Sequence, residues 1–154
     1  MKILLLRTAK GKNKWADTAV DNWKKRFIHK LPFEEKICKP APAHKSIEER
    51  RNLEAQRVLD YIKDGDVVIS LDERGTLWST EKLRDQVQTS MNRSAKRMVF
   101  IIGGPFGHAP IVRQKSNHIL SISKMVLNHE IARVCLVEQL YRVYTLIYGG
   151  DYHH

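Results

Sequence analysis

The chain has 154 residues, a length that suits one domain spanning residues 1–154 with a sizeable hydrophobic core. Hydrophobic residues make up 42% and charged residues 29%, and no apolar run approaches the roughly 18 residues that a membrane span needs. Two cysteines, Cys38 and Cys135, are too few for a disulfide scaffold. We therefore expect a cytoplasmic globular protein rather than a membrane, secreted or fibrous one.

The net charge of +10 comes from 27 basic and 17 acidic residues. The two halves of 77 residues each carry +5, from 17 basic and 12 acidic residues in the first and 10 and 5 in the second. The excess therefore belongs to the folded body and not to a tail. Attraction to phosphates and release of counterions favour a nucleic-acid partner. A basic soluble protein without such a partner is the alternative.

The first half predicts two strands and two helices. Short strands cover Lys2–Leu6 and Phe33–Ile37. Between them lies an amphipathic helix whose apolar stripe should pack into the core, a base-stacking surface being the alternative: Trp15, Ala19, Trp23 and Phe27. Beyond a proline-rich loop, Ser46–Glu49 has the pattern of a capping box and begins a helix that runs to about Ile62.

The second half predicts three more strands and two more helices. The strands are Val67–Leu71, Met98–Ile102 and His118–Ile122. A helix capped by Ser79 or Thr80 runs to about Thr89. This alternation indicates an α/β fold with a mainly parallel sheet and helices on both faces. Ligands of such sheets bind beyond the carboxyl ends of the strands, so the loops there are the candidate sites.

The last helix runs from Asn128 or His129 to about Tyr148 and is apolar on more than one side. One side can pack on the sheet, but the other needs a second cover. We therefore expect a homodimer that uses this helix. Full enclosure within a monomer is the alternative.

A glycine-rich turn follows the strand that ends at Ile102. The segment Phe100–Gly107 carries Gly-Gly-Pro-Phe-Gly, and its glycines allow the backbone to approach a ligand closely. Its spacing matches neither the dinucleotide fingerprint nor the phosphate-binding loop, which disfavours a nicotinamide-dependent enzyme. A purely structural tight turn is the alternative.

A second candidate loop, Leu120–Leu127, leads into the last helix. Its backbone groups could bind an adenine edge between apolar side chains, although an ordinary strand–helix connection would look the same. His129 follows in the first helical turn, where the positive end of the helix dipole disfavours imidazolium. A neutral imidazole there could act as a base or hydrogen-bond acceptor, or be merely structural.

Arg142 and the C-terminal residues are the remaining candidates. Arg142 lies four residues after Glu138, so it could form an intrahelical pair, or it could bind a phosphate or a base carbonyl. After two glycines, the tail 151–154 could cover a neighbouring site, fray, or consist partly of added residues.

Taken together, these segments resemble the ribosomal RNA large-subunit methyltransferase H family of the SPOUT superfamily. The resemblance is carried by Phe100–Gly107, Leu120–Leu127, His129 and the stretch from Arg133 through Glu138-Gln139-Leu140-Tyr141-Arg142 to Tyr152-His153. It spans the whole chain, densely from about residue 66 onward. The sequence departs from the family's usual pattern at three places: Asn128 stands for proline, Val126 for threonine, and Thr8-Ala9-Lys10 for Val-Gly-Lys.

The resemblance implies a C-terminal trefoil knot, a homodimer, and S-adenosyl-methionine bound by the knot loops. The cofactor-binding positions that match are Leu71, Gly103, Ile122, Ser123, Lys124, Met125, Val126 and Leu127. It also implies methylation of N3 of a pseudouridine in 23S ribosomal RNA, preferably on an assembled ribosome. No metal is expected.

We hypothesise that His129 or Tyr152 lies near the target base and that Arg142 binds its carbonyl or a flanking phosphate. The tail with Tyr152 and His153 would then come from the opposite subunit. The alternatives are a SPOUT methyltransferase acting on another RNA base, and a non-catalytic ribosome-associated RNA-binding protein.

Overall fold

Five parallel strands form one sheet in the described part of the chain, and the predicted α/β class is confirmed. The computed structural model describes residues 1–8, 13–150 and 152. Its elements in chain order are β1 (Lys2–Thr8), α1 (Lys14–Phe27), β2 (Phe33–Cys38), α2 (Ile47–Leu59), β3 (Val67–Leu77), α3 (Thr80–Asn92), β4 (Arg97–Ile102), α4 (Pro110–Lys115), β5 (His118–Ser121) and α5 (His129–Tyr148).

The strand order is β2-β1-β4-β3-β5, and each neighbouring pair is parallel. All five carboxyl ends therefore meet at one edge of the sheet. The register is regular except in β3, where Leu71 and Thr76 both align with Leu120 of β5. The intervening residues bulge out of the ladder beside the glycine turn that follows β4.

The helices cover both faces of the sheet, as predicted. Alternate side chains of one strand point to opposite faces, so Ile3 and Leu5 of β1 join one core while Leu4 and Leu6 join the other. The first core is closed by α1, α3 and α5, and the second by α2 and α4. Strands buried on both faces account for the continuous apolar runs in the sequence.

The short helix α4 is absent from the sequence prediction, which places only the glycine-rich turn, and no helix or strand, between Ile102 and His118. It has six residues and begins with Pro110, a favourable first helical residue. Six residues are too few to show a helical period. The helix matters because Val112 enters the second core while Arg113 donates to the carboxylate of Asp72 in β3.

The predicted apolar stripe of α1 was wrong at Trp15, whose exposed fraction is 53%. The buried residues of this helix are Ala16, Val20 and Phe27, with Trp23 half-buried against them. A helix of 3.6 residues per turn places positions 16, 20, 23 and 27 on one face, so a strict four-residue spacing drifts away from it.

The terminal helix α5 is only partly covered by its own chain. Leu136, Leu140 and Val143 are fully buried against the sheet. On another side, Ile131 and Tyr148 are 44% and 40% exposed. Neither α5 nor any other helix among the described residues has the length and apolarity to cross a bilayer.

Five charged side chains form a largely buried ion-pair network where α5 begins. Arg7 of β1 contacts Glu35 of β2 and lies 3.0 Å from the Glu130 carboxylate of α5. Arg133 donates to Asp17 of α1 at 2.7 Å, to Glu35 at 2.8 Å and to Glu130 at 3.0 Å. Arg7 and Arg133 are only 1% and 3% exposed. The network therefore ties the first turn of α5 to three other elements.

Replacing Arg7 should test how much this network stabilises the fold. Arg7→Met removes the positive charge that pairs with the carboxylates of Glu35 and Glu130. We therefore expect the free energy of unfolding to fall by about 3–5 kcal/mol. The matched control is Lys45→Met, which removes an exposed pair with Glu49 and should change the same quantity by less than about 1 kcal/mol. Urea unfolding at fixed protein concentration measures both. Equal effects of the two changes would contradict the assignment.

Candidate functional site

A cleft of about 400 Å³ lies at the carboxyl edge of the sheet, where β3, β4 and β5 end and α5 begins. The glycine turn after β4 and the loop after β5 form opposite walls of this one cavity. Of the eight predicted cofactor-binding positions, seven line it: Leu71, Gly103, Ile122, Ser123, Met125, Val126 and Leu127. The structure thus brings together two segments that are almost twenty residues apart in the sequence.

The glycine turn is held in place by α2. The Nε of Arg51 donates to the carbonyl oxygen of Phe106 at 2.6 Å, and the Arg50 guanidinium lies 4.5 Å from the centre of the Phe106 ring. A β-carbon at Gly104 would lie 2.9 Å from the Glu54 carboxylate of α2, so a side chain there would displace that carboxylate. Helix α2 therefore supports one side of the turn, and the other side of the turn lines the cleft.

The opposite wall is built from local hydrogen bonds. The hydroxyl of Ser121 donates to the carbonyl of Ser123 at 2.9 Å, and the Ser123 hydroxyl accepts from the backbone of Met125 at 3.0 Å. Met125 and Val126 are 76% and 83% exposed, so apolar side chains stand open at the mouth. Lys124 is the predicted position that does not line the cleft, because its ammonium donates to the Gly75 carbonyl at 2.9 Å.

The carboxylate of Asp72, which directly follows the regularly paired part of β3, forms a charged corner of the cleft. It accepts from the Nε atoms of Arg113 at 3.0 Å and Arg74 at 3.1 Å, and from the Arg74 backbone at 3.0 Å. Burial by itself would raise the pKa of this carboxyl. The hydrogen bonds from Arg74 and Arg113 outweigh burial, so the pKa lies below the ordinary 3.8.

His129 lies in the first turn of α5 and lines the cleft, as its sequence position predicts. The Asn128 side chain caps this helix by accepting from the backbone of Glu130 at 2.8 Å, so asparagine serves as the helix start. Arg133 lies one turn beyond His129 and is engaged in the buried ion-pair network. Only the histidine is directed to the cavity.

The other two predicted catalytic residues lie away from this cleft within one chain. Arg142 follows His129 by thirteen residues, which is about 20 Å along a helix. Its Nε donates to Glu138 at 2.6 Å, so the intrahelical pair left open by the sequence is formed. The centre of the Tyr152 ring lies 4.8 Å from that of Tyr141, in a tilted arrangement, and 4.7 Å from the Arg142 guanidinium. These residues form a second group at the far end of α5, while His153 lies outside the described residues.

Sequence reasoning missed His108, which follows the glycine turn and also lines the cleft. Its only sequence signal is its place directly after Gly107.

No group of three histidine, cysteine or acidic side chains that could hold a metal ion occurs within residues 1–8, 13–150 and 152.

The Asp72 corner predicts how stability depends on pH. A carboxyl whose folded-state pKa is depressed stabilises the fold above its unfolded pKa and loses that contribution as pH falls through the folded-state pKa. Wild type should therefore be more stable than Asp72→Asn at pH 7 and pH 5, and this difference should shrink below about pH 4. Urea unfolding across this range measures it. A difference that grew on acidification would contradict the assignment.

Residues 1–153 match the protein-family model described as "Predicted SPOUT methyltransferase".

Curated relatives match over the full length. The chain is 34% identical over 156 residues to the "Ribosomal RNA large subunit methyltransferase H" of Phocaeicola vulgatus, covering 100% of this chain and 99% of the relative. It is 34% identical over 155 residues to the protein of that name from Bdellovibrio bacteriovorus, with the same coverage. The Cytophaga hutchinsonii protein is 33% identical, and each chain is covered completely.

Among solved structures, the chain is similar to the SpoU methyltransferase AviRb from Streptomyces viridochromogenes in complex with AdoMet. The TM-score is 0.44 at 14% sequence identity, over 92% of this chain and 59% of that one.

Proposed function

The chain belongs to the SPOUT methyltransferase family, and on that premise we propose that it transfers a methyl group from S-adenosyl-methionine to N3 of a pseudouridine in large-subunit ribosomal RNA. The predicted family and the predicted cofactor are confirmed at the level of the family. The observation that carries the rest is the single cleft in which the glycine turn, the loop 121–127 and His129 meet.

The cleft suits S-adenosyl-methionine in size and chemistry. Its volume of about 400 Å³ is within the range of small-molecule sites. Ile102, Leu120 and Leu127 supply apolar walls for a flat base. The glycine turn has no side chain at Gly103, where a β-carbon would press against the His108 ring 3.1 Å away. When bound, S-adenosyl-methionine supplies an electrophilic methyl group on a sulfonium.

The residues of this chain would align and activate the acceptor. N3 of a pseudouridine holds a proton between two carbonyl groups and becomes a good nucleophile once that proton leaves. An imidazole at His129 can accept the proton, and a guanidinium can stabilise negative charge that develops on the carbonyl oxygens. We propose that Arg142 and the Tyr152 hydroxyl stabilise this negative charge and orient the target base.

This assignment requires a homodimer, because Arg142 and Tyr152 lie about 20 Å from His129 in one chain. An antiparallel pairing of two α5 helices brings the start of one helix to the end of the other. The exposed Ile131 and Tyr148 support such a pairing, because they leave apolar surface on α5 uncovered. Each of the two sites would then combine His129 of one protomer with Arg142 and Tyr152 of the second. The family's C-terminal trefoil knot is part of this proposal.

The single domain also has to bind the RNA. Its net charge of +10 is spread over both halves of the chain, which favours contacts with phosphates over a broad surface. RNA of this kind is recognised by shape and backbone before base identity. We propose the assembled ribosome, in the cytoplasm, as the substrate, since a large preformed structure offers the surface that one small domain cannot enclose.

The substrate assignment is tested by mapping the modified nucleotide. Purified protein is incubated with S-adenosyl-methionine and either assembled ribosomes or naked ribosomal RNA from cells that lack this gene. Mass spectrometry of the digested RNA should find one new methyl group, on N3 of a pseudouridine, and at least about tenfold more of it on ribosomes. A methyl group on another base would make this a different RNA methyltransferase. No methylation together with no cofactor binding in calorimetry would leave a binding protein.

Subunit mixing tests whether the active site is shared between protomers. His129→Ala and Arg142→Ala should each be nearly inactive alone. After unfolding and refolding together, half of the dimers are mixed and carry one intact site of two, so about a quarter of wild-type activity should return. The matched control is a mixture of Arg142→Ala with Tyr152→Ala, whose mixed dimers contain no intact site. No recovery in the first mixture would place all three residues in one chain's site.

A further inference from the structure

His108 is a buried histidine that the proposed chemistry does not use. It lies between the glycine turn and α4, and it is only 8% exposed. Its Nε2 lies 3.0 Å from the carbonyl oxygen of Leu71, at the end of the regular part of β3. A carbonyl oxygen only accepts, so Nε2 carries the hydrogen and donates it. The ring therefore links the glycine turn to the neighbouring strand.

The same ring occupies the space beneath Gly103. A β-carbon at Gly103 would lie 3.1 Å from both Nδ1 and Cε1 of His108. His108 lines the main cleft and also a small cavity of about 10 Å³ beneath α2 and α4, bordered by Glu54 and Val112. It is thus a partition between the cleft and the second core of the sheet.

The surroundings favour the neutral imidazole. Burial lowers the pKa of His108, and the nearby Arg113 lowers it further. The carbonyl groups of Leu71 and Ile101 and the carboxylate of Asp72 act in the opposite direction without cancelling the effect of burial. A neutral imidazole has one N–H group, and here this group donates its hydrogen bond to the Leu71 carbonyl.

We propose that His108 is a positioning residue for the methyl donor, which sets the distance between the Leu71 carbonyl and the Gly103 backbone across the floor of the cleft. The inference rests on the proposed function, because it assigns the cleft to S-adenosyl-methionine. The imidazole of His108 hydrogen-bonds the Leu71 carbonyl and lies where a side chain at Gly103 would stand, so its effect falls on donor affinity and much less on the turnover rate. Leu71 belongs to β3 and Gly103 directly follows β4, so the ring lies between two neighbouring strands of the sheet.

Binding of S-adenosyl-methionine and of its demethylated product is measured by calorimetry on His108→Phe and His108→Gln. Phenylalanine fills the space but has no hydrogen to donate, so both dissociation constants and the KM for S-adenosyl-methionine should rise about tenfold, with kcat within about twofold. Glutamine can place an amide N–H near the position of Nε2 and should stay within about threefold of wild type. The matched control is His118→Phe. His118 is a half-buried histidine that packs edge-to-face with Trp78 outside the cleft, so its replacement should leave binding unchanged.

A second pair of variants tests the contact beneath Gly103. Gly103→Ala should weaken binding about tenfold or more, since the new methyl group meets the imidazole ring. Adding His108→Ala removes that ring, so Gly103→Ala/His108→Ala should bind at least as well as Gly103→Ala alone. If the fold-losses in affinity from the two substitutions multiply in the double variant, the two positions act independently, and this would overturn the proposal.

The outcomes separate this inference from the function on which it depends. If wild-type protein binds neither ligand, the proposed function fails. If wild type binds both and His108→Phe binds equally well, only the inference fails. If His108→Phe and His108→Gln lose binding to the same extent while both remain folded by circular dichroism, hydrogen bonding to Leu71 is not the cause and the inference is again overturned.

Discussion

The ion-pair network at the start of α5 is the constraint on which the functional geometry depends. Arg7 and Arg133 are almost completely buried, and their carboxylate partners come from α1, β2 and α5 itself. Buried charges are costly to desolvate, so this arrangement tolerates little displacement of any partner. Because His129 immediately precedes Glu130, the network also sets where the predicted base stands relative to the cleft.

The cleft itself is built from backbone supported on both sides. Helix α2 holds the glycine turn through Arg51, and His108 fills the space beneath Gly103. The opposite loop is shaped by the hydroxyl groups of Ser121 and Ser123. A pocket supported in this way keeps its shape, which suits a ligand that must present one methyl group at a fixed position.

Different parts of α5 have different surroundings. Its first turn borders the cleft, its middle is buried against the sheet, and its last turns carry Arg142 beside the packed rings of Tyr141 and Tyr152. The helix is too long for its two ends to meet within one chain. The apolar surface that it leaves exposed and the separation of the candidate residues both support two-fold pairing in the proposed function.

Local patterns in the sequence were sufficient for the fold class, the strands, most helices and the two loops that form the cleft, because alternation, capping and glycine turns are short-range signals. The family resemblance supplied the eight cofactor positions, of which seven line the cavity, whereas the Lys124 ammonium donates to the Gly75 carbonyl. Tertiary structure alone decided the exposure of Trp15, the pairing of Arg7 with Glu130 across 123 positions, and the role of His108 as a partition. Each of these depends on which distant residues become neighbours, and burial and charge pairing act on neighbours in space whatever their separation along the chain.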